Sequence, residues 1–369
     1  MKKIISLLLT ATMVLSLAAC GNNGSQDSGS NTSDPGGESG GVKYSQGVTD
    51  TTVLIANSAA TSGSYAPVGV PFNAGIQAYL DMVNAEGGID GRTIEFLHTD
   101  DEFDPVKGKA ALQNFVEDEK VFAIVGHFGT PVVGATIEDL KSYGIPAVYF
   151  ATGIGQLYAQ NATTNEEGYN IFPVQPIYTT EGQIMVARGV GTFDATKIGI
   201  IYTNDDAGKD MLTGAEEKCK ELGIDYVAEQ VAAGSADVSA AVTSIKNSGA
   251  DFIICAAIQA TMPTIVKELA AQGNTAPVIT TYVNVSSAIP PLVADDIAGK
   301  FDVYGNGWVA YDDEEALALY QEWVGKIDES YSMNAYAQTG WIAAHFFCEG
   351  LRRIEGQDIT WENYMNALE

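Results

Sequence analysis

Lys197-Ile198-Gly199-Ile200-Ile201-Tyr202, followed by a helical pattern from Gly208 to Leu222, is the stretch on which the fold turns. Five mostly β-branched residues in an unbroken apolar run suit a strand covered on both faces, and a helix directly after it suits a βα unit. The unit repeats downstream. Tyr226 to Val231 is a predicted strand, Val238 to Lys246 a helix, Phe252 to Ala256 a strand, Pro263 to Ala271 a helix and Val278 to Thr281 a strand. The same alternation runs upstream. Val53-Leu54-Ile55-Ala56 is a strand, and Val70 to Asn84 a helix with Ile76, Leu80 and Val83 on one face. Turn residues Glu86 to Gly91 lead to a strand at Thr93 to Thr99, and Pro105 opens a helix at the position where its missing N–H costs nothing. Phe122 to Gly126 is a third strand, Thr130 to Tyr143 a helix presenting Val133, Ile137 and Leu140, and Ile145 to Phe150 a fourth strand. Two such series, parted near residues 170 to 180, predict an α/β chain with two similar lobes, each built on a parallel sheet with right-handed crossovers. Ligands of open α/β sheets bind at the carboxyl ends of the strands, so two facing lobes predict a shared cleft.

The first residues follow a different logic. Lys2 and Lys3 precede an apolar run from Ile4 to Leu17 that is too short and wrongly flanked for a membrane span. It ends in Leu17-Ala18-Ala19-Cys20-Gly21, which looks like a bacterial lipobox. That predicts a signal peptide over residues 1–19, a lipidated Cys20, and a protein held on the extracytoplasmic face of the cell membrane. The alternative is a signal peptide that happens to end in cysteine. Residues 20–48, mostly Gly, Ser, Asn and Asp, bury too little to offset ordering entropy and form a flexible tether.

Composition narrows the classes. The net charge of -28 argues against nucleic acid as a partner, because phosphate binding needs basic patches. About 320 residues follow the tether, suited to two lobes rather than one core. Cys219, Cys255 and Cys348 fall in helical or strand patterns and suit buried free thiols. His98, His127 and His345 lack metal-ligand spacing, and no P-loop, G-x-S-x-G or G-x-G-x-x-G motif occurs. Asp100, Glu102 and Asp104 have the spacing of a calcium loop, but Pro105 stands where that loop needs Gly and Ala111 where it needs Glu. No metal, no cofactor and no catalytic activity are expected.

Four motifs in order carry a family resemblance. They are Asn84-Ala85-Glu86-Gly87-Gly88-Ile89-Asp90-Gly91, Asp100-Asp101-Glu102-Phe103-Asp104-Pro105, Ile124-Val125-Gly126-His127 and Gly144-Ile145-Pro146. From about residue 50 to the end, the chain resembles the branched-chain amino-acid type of periplasmic binding proteins. The resemblance implies two Rossmann-like lobes of the type I periplasmic-binding-protein fold, joined by a three-stranded hinge. Residues 49–174 with 305–369 would form lobe 1, and 175–304 lobe 2. It also implies a monomer that closes on a small-molecule ligand and delivers it to an ABC transporter permease. The competing expectation is a ligand-sensing module docked on a membrane receptor.

The family's ligand positions map unevenly. The resemblance places Thr130, Ala151 and Gly153 around a ligand carboxylate. Thr130 lies at a helix start, where it is either an anion site or a plain N-cap. Gly153 lacks the family's hydroxyl, Thr152 is expected to point elsewhere, and Tyr149, Phe150 and Phe128 are core or pocket. In the second lobe Ala207 replaces an aromatic, Ile258 or Gln259 takes the place of a pocket aromatic, and Tyr282 falls at the acid that receives an α-ammonium. No Asp or Glu occurs from Val278 through Pro291. Asp205 or Asp206 is either a substitute or an exposed turn. Tyr336 matches a residue that packs on the ligand, and Gln259 and Asn284 are polar candidates. A disulfide of the leucine-binding branch joins the positions that here hold Phe103 and Gly129.

Overall fold

A computed structural model describes residues 44–158, 168–310 and 312–369. The signal peptide, Cys20 and nearly all of the tether lie outside the described residues. The elements run β1 (Thr52–Ala59), α1 (Ala66–Ala85), β2 (Thr93–Asp100), α2 (Pro105–Glu117), β3 (Ala123–Phe128), α3 (Thr130–Tyr143), β4 (Ala147–Ala151) and β5 (Ile171–Phe172). The second series is α4 (Tyr178–Phe193), β6 (Lys197–Thr203), α5 (Asp206–Leu222), β7 (Asp225–Val231), α6 (Ser239–Ser248), β8 (Phe252–Ala256), α7 (Met262–Ala271), β9 (Val278–Thr280), α8 (Pro290–Ile297) and β10 (Val303–Gly305). Three helices follow, α9 (Glu314–Gly325), α10 (Ala335–Arg352) and α11 (Trp361–Leu368).

The strands form two five-stranded parallel sheets, ordered β2-β1-β3-β4-β5 and β10-β9-β8-β6-β7. Counted from each lobe's own first strand, both orders are 2-1-3-4-5. The strand order therefore reverses between β1 and β3 in one lobe and between β6 and β8 in the other, and those reversals open the crevices where α/β sheets bind ligands. The two-lobed α/β expectation holds. The described chain passes between the sheets twice, after β5 and after β10.

Local chemistry explains the boundaries. Asp104 caps α2, its carboxylate accepting from Val106 N and Lys107 N, with Pro105 in the first turn. α1 starts at Ala66, four residues before its apolar stripe, because Pro67 fills the first turn where no N–H partner exists. α10 returns to the first sheet and packs on α1. The approach is close enough that a Cβ at Gly340 would stand 1.8 Å from the Phe72 carbonyl oxygen, and one at Gly75 would stand 1.8 Å from that of Ala337. α11 closes the same layer, with the Tyr364 ring between Phe122 and Phe347.

One irregularity aims the strands at the cleft. In the β3–β4 ladder Val125 pairs with Val148 and His127 with Phe150, while Gly126 (φ 74°) and Tyr149 (φ 57°) turn together between them. A left-handed tyrosine costs on the order of 1–3 kcal/mol and persists only where its surroundings hold it. The Tyr149 ring is buried, and its hydroxyl accepts from Gln175 Nε2 at 3.2 Å. Beyond the double kink, Phe128 and Ala151 reach the cleft. Both layers belong to one compact unit. An apolar cluster continues from Ile124, Ile137 and Phe150 through Ile154 and Leu157 to Met211 and Ile254. Cys219, Cys255 and Cys348 are free and buried, as expected. Among the described residues no helix is long and apolar enough to cross a membrane.

Candidate functional site

The carboxyl ends of both sheets meet at a narrow cleft of about 30 Å³. The first sheet brings Phe128, Gly129, Thr130 and Ala151, with Phe72 from α1 and Phe103 from the loop after β2. Gln175 and Tyr178 come from the first passage between the sheets. The second lobe brings Ile258, Gln259 and Val283, the segment after β10 brings Trp308, and α10 brings Tyr336 and Thr339. None of the residues lining the cleft is charged.

Its floor is made where α3 begins. The N-cap is Gly129, at φ 90°, and no side chain caps the helix. A Cβ there would lie 2.5 Å from the Phe103 ring. The two positions that the resemblance joins by a disulfide are thus in contact, with a ring filling the space over a glycine. Thr130 is not the cap. Its hydroxyl shares a 2.8 Å hydrogen bond with the Thr152 hydroxyl, so Thr152 points toward Thr130 rather than elsewhere. The first-turn N–H groups of a helix have no intrahelical acceptor, and here they open onto an apolar cleft. Burial pushes the nearby Tyr178 hydroxyl up to about 12.

The second-lobe half is occupied with its own contacts. Asp205 caps α5, accepting from Gly208 N at 2.9 Å and from the Thr203 hydroxyl at 2.8 Å. Gln259 Nε2 donates to the Val283 carbonyl at 3.0 Å, and the Tyr336 hydroxyl donates to the same oxygen at 3.0 Å. Asp206 is the first residue of α5, and Ala207 is core.

Of the sequence candidates, Thr130, Ala151, Gln259 and Tyr336 converge on the cleft. Gly153, Asp205, Tyr282 and Asn284 are not among its lining residues. Gly153 is wedged under the Pro176 carbonyl, which a Cβ would approach to 2.1 Å. Tyr282 is fully buried, and its hydroxyl donates to Pro176 O at 2.9 Å, tying the second lobe to the first passage. Asn284 faces a neighbouring cavity. Phe128 proves to be pocket, while Tyr149 and Phe150 are core. Sequence reasoning missed Phe72, Gln175, Tyr178, Trp308 and Thr339. Trp308 follows β10 directly, so the strand-end rule would have found it had that three-residue strand been visible.

A further acid sits behind the cleft. Glu181 of α4 accepts from Thr281 Oγ1 at 2.6 Å, Tyr282 N at 2.6 Å and Asn306 Nδ2 at 3.4 Å. Burial pushes its carboxyl up to about 7. On the rim, Gly155 N donates to Asp210 Oδ2 at 2.7 Å, a direct bond between the lobes.

The model of the family described as periplasmic binding protein matches residues 52–369. The chain belongs to the periplasmic binding protein family. It is 26% identical over 291 residues to Leu/Ile/Val-binding protein homolog 1 of Brucella abortus, covering 77% of this chain and 75% of that one. It is 25% identical over 306 residues to an amino acid binding protein of Pseudomonas aeruginosa, covering 80% and 78%. Among solved structures, a fatty acid ABC transporter substrate-binding protein from Thermomonospora curvata superposes with a TM-score of 0.75 at 21% identity, over 89% of this chain and 83% of that one. This periplasmic binding protein shares with it the two-sheet fold.

Proposed function

We propose that the chain is the extracytoplasmic solute-capturing component of an ABC importer, lipid-anchored through Cys20, and that it holds one small solute between its lobes. The observation that carries the solute class is the uncharged, largely aromatic lining of the cleft around the start of α3. Such a site suits an apolar body with a carboxylate or amide end: the helix start takes the acceptor and the rings of Phe72, Phe103, Phe128 and Trp308 take the body. An α-ammonium buried there would lack a carboxylate partner, at a cost of several kcal/mol. The names of the Brucella and Pseudomonas relatives support an amino acid or its close analogue, and the Thermomonospora protein supports a carboxylate with no ammonium. The cleft volume of about 30 Å³ holds little more than water, so entry of a solute requires the lobes to part and close again.

Calorimetry with leucine, isoleucine and valine beside their deaminated acids and amides tests the solute class. The deaminated acids should bind at least as tightly as the amino acids. A tenfold preference for the amino acids would mean that an acid reaches the ammonium after all, and would sink the uncharged reading. For the anchor, a fatty-acid probe should label the wild type and leave Cys20→Ser unlabelled; equal labelling of both would rule it out.

A further inference from the structure

Next to the cleft lies a second cavity, of about 540 Å³, set in the second lobe between α8, the ends of β9 and β10, and the segment before α10. Trp308 lines both spaces and stands between them. The walls are Met262, Val285, Ile289, Val293 and Met333 with the Trp308 indole. A volume of this size lies within the roughly 300–1,000 Å³ of small-molecule sites.

One polar atom in this apolar setting is unexplained. Asn284 lines the cavity and is 4% exposed. Its Nδ2 donates to the Ala257 carbonyl at 2.8 Å and to Thr280 Oγ1 at 2.7 Å, and that hydroxyl donates onward to Cys255 O at 3.1 Å. These partners fix which way the amide points, because an oxygen in place of Nδ2 would face the Ala257 oxygen. Oδ1 is left buried with no protein donor. An acceptor in that state is destabilising, and a single donor from a bound molecule removes the deficit.

We propose that this cavity is a second ligand site, distinct from the interlobe cleft, for a compact apolar molecule carrying one hydrogen-bond donor, such as a phenol. The apolar walls take the body of the molecule and Asn284 Oδ1 takes its hydroxyl proton. The proposal does not rest on the identity of the transported solute. Because Trp308 is common to both spaces, occupancy of one also bears on the wall of the other.

The test is calorimetric titration of the full chain with p-cresol and with 4-methylanisole, the same ring with its hydroxyl methylated. Cresol should bind saturably, one per chain, and methylanisole at least tenfold more weakly. Val293→Trp, which fills the cavity, should abolish cresol binding. Should that variant fail to fold, Met333→Trp at the half-exposed mouth should weaken cresol binding at least tenfold. The proposal is overturned if cresol does not bind, if the ether binds as well as the phenol, or if cresol binding survives filling of the cavity.

Discussion

The two halves of the cleft are built on the same strand order and do different things. In the first lobe, the turn after β3 leaves a glycine cap, a threonine pair and the open N–H groups of α3 facing the cleft. In the second, the residues at corresponding strand ends are turned inward. Asp205 caps its own helix, Gln259 is held by Val283, and Tyr282 binds Pro176. Equal topology thus does not give equal chemistry: what a strand end offers a ligand depends on whether its polar atoms already have partners. The first lobe is arranged to recognise, and the second to cover and to hold the two lobes together.

The lobes also bury opposite kinds of titratable group, and this gives the largest expected effect. His127 at the end of β3 is fully enclosed. Its Nε2 meets Thr136 Oγ1 at 2.8 Å, that hydroxyl donates to the Val132 carbonyl, and Nδ1 has no partner. Burial lowers its pKa to about 4. A group depressed on folding contributes stability that is present above its usual value of 6.5 and is lost as pH falls toward 4. Glu181 has the opposite sign: raised from 4.5 to about 7, it contributes stability that is present below 4.5 and is lost as pH rises through 7. Each window is worth roughly 3 kcal/mol at 1.36 kcal/mol per pH unit, and the two oppose each other where they overlap. Asp101, raised to about 6 by burial, adds to the Glu181 side at lower pH. Urea unfolding from pH 4.5 to 7 should therefore show Glu181→Gln gaining stability relative to wild type as pH rises, and His127→Gln losing it. Difference profiles that run flat for both variants would break this contrast between the lobes.

A smaller effect sharpens the contrast at the cleft itself. Thr130→Val removes a hydroxyl that faces the solute and is bonded to Thr152. It should weaken solute binding about tenfold, the loss expected of one buried hydrogen bond. Gln259→Ala removes a group already held by Val283 and should change affinity about twofold or less. Titration of both variants with one solute gives the ratio, and a larger loss at Gln259 than at Thr130 would reverse the assignment of roles.

The parts of the chain that could be read in advance are those where burial and side-chain hydrophobicity coincide. β6, β8 and α3 are apolar wherever they are buried, so period and length sufficed. α4 shows why other parts could not. Its buried positions, Tyr178, Glu181, Gly182, Met185, Val186 and Gly189, have helical spacing, but a glutamate and two glycines break the apolar stripe. The glutamate is tolerated because Thr281, Tyr282 and Asn306 satisfy it from far along the chain. β5 and β10, of two and three residues, are too short to carry a period at all.

The sequence by itself determined the two βα series, the helix start at residue 130 and the family, because each rests on neighbours in the chain: periodicity, turn chemistry and ordered motifs. Only the tertiary structure decided which candidates face the cleft. Whether Asp205 is a ligand or a cap, whether Tyr282 meets solute or Pro176, and whether Asn284 belongs to the cleft or to the cavity beside it all depend on partners brought close by folding. A polar atom is available to a ligand only when no such partner takes it, and that is a property of the packed molecule rather than of the residue.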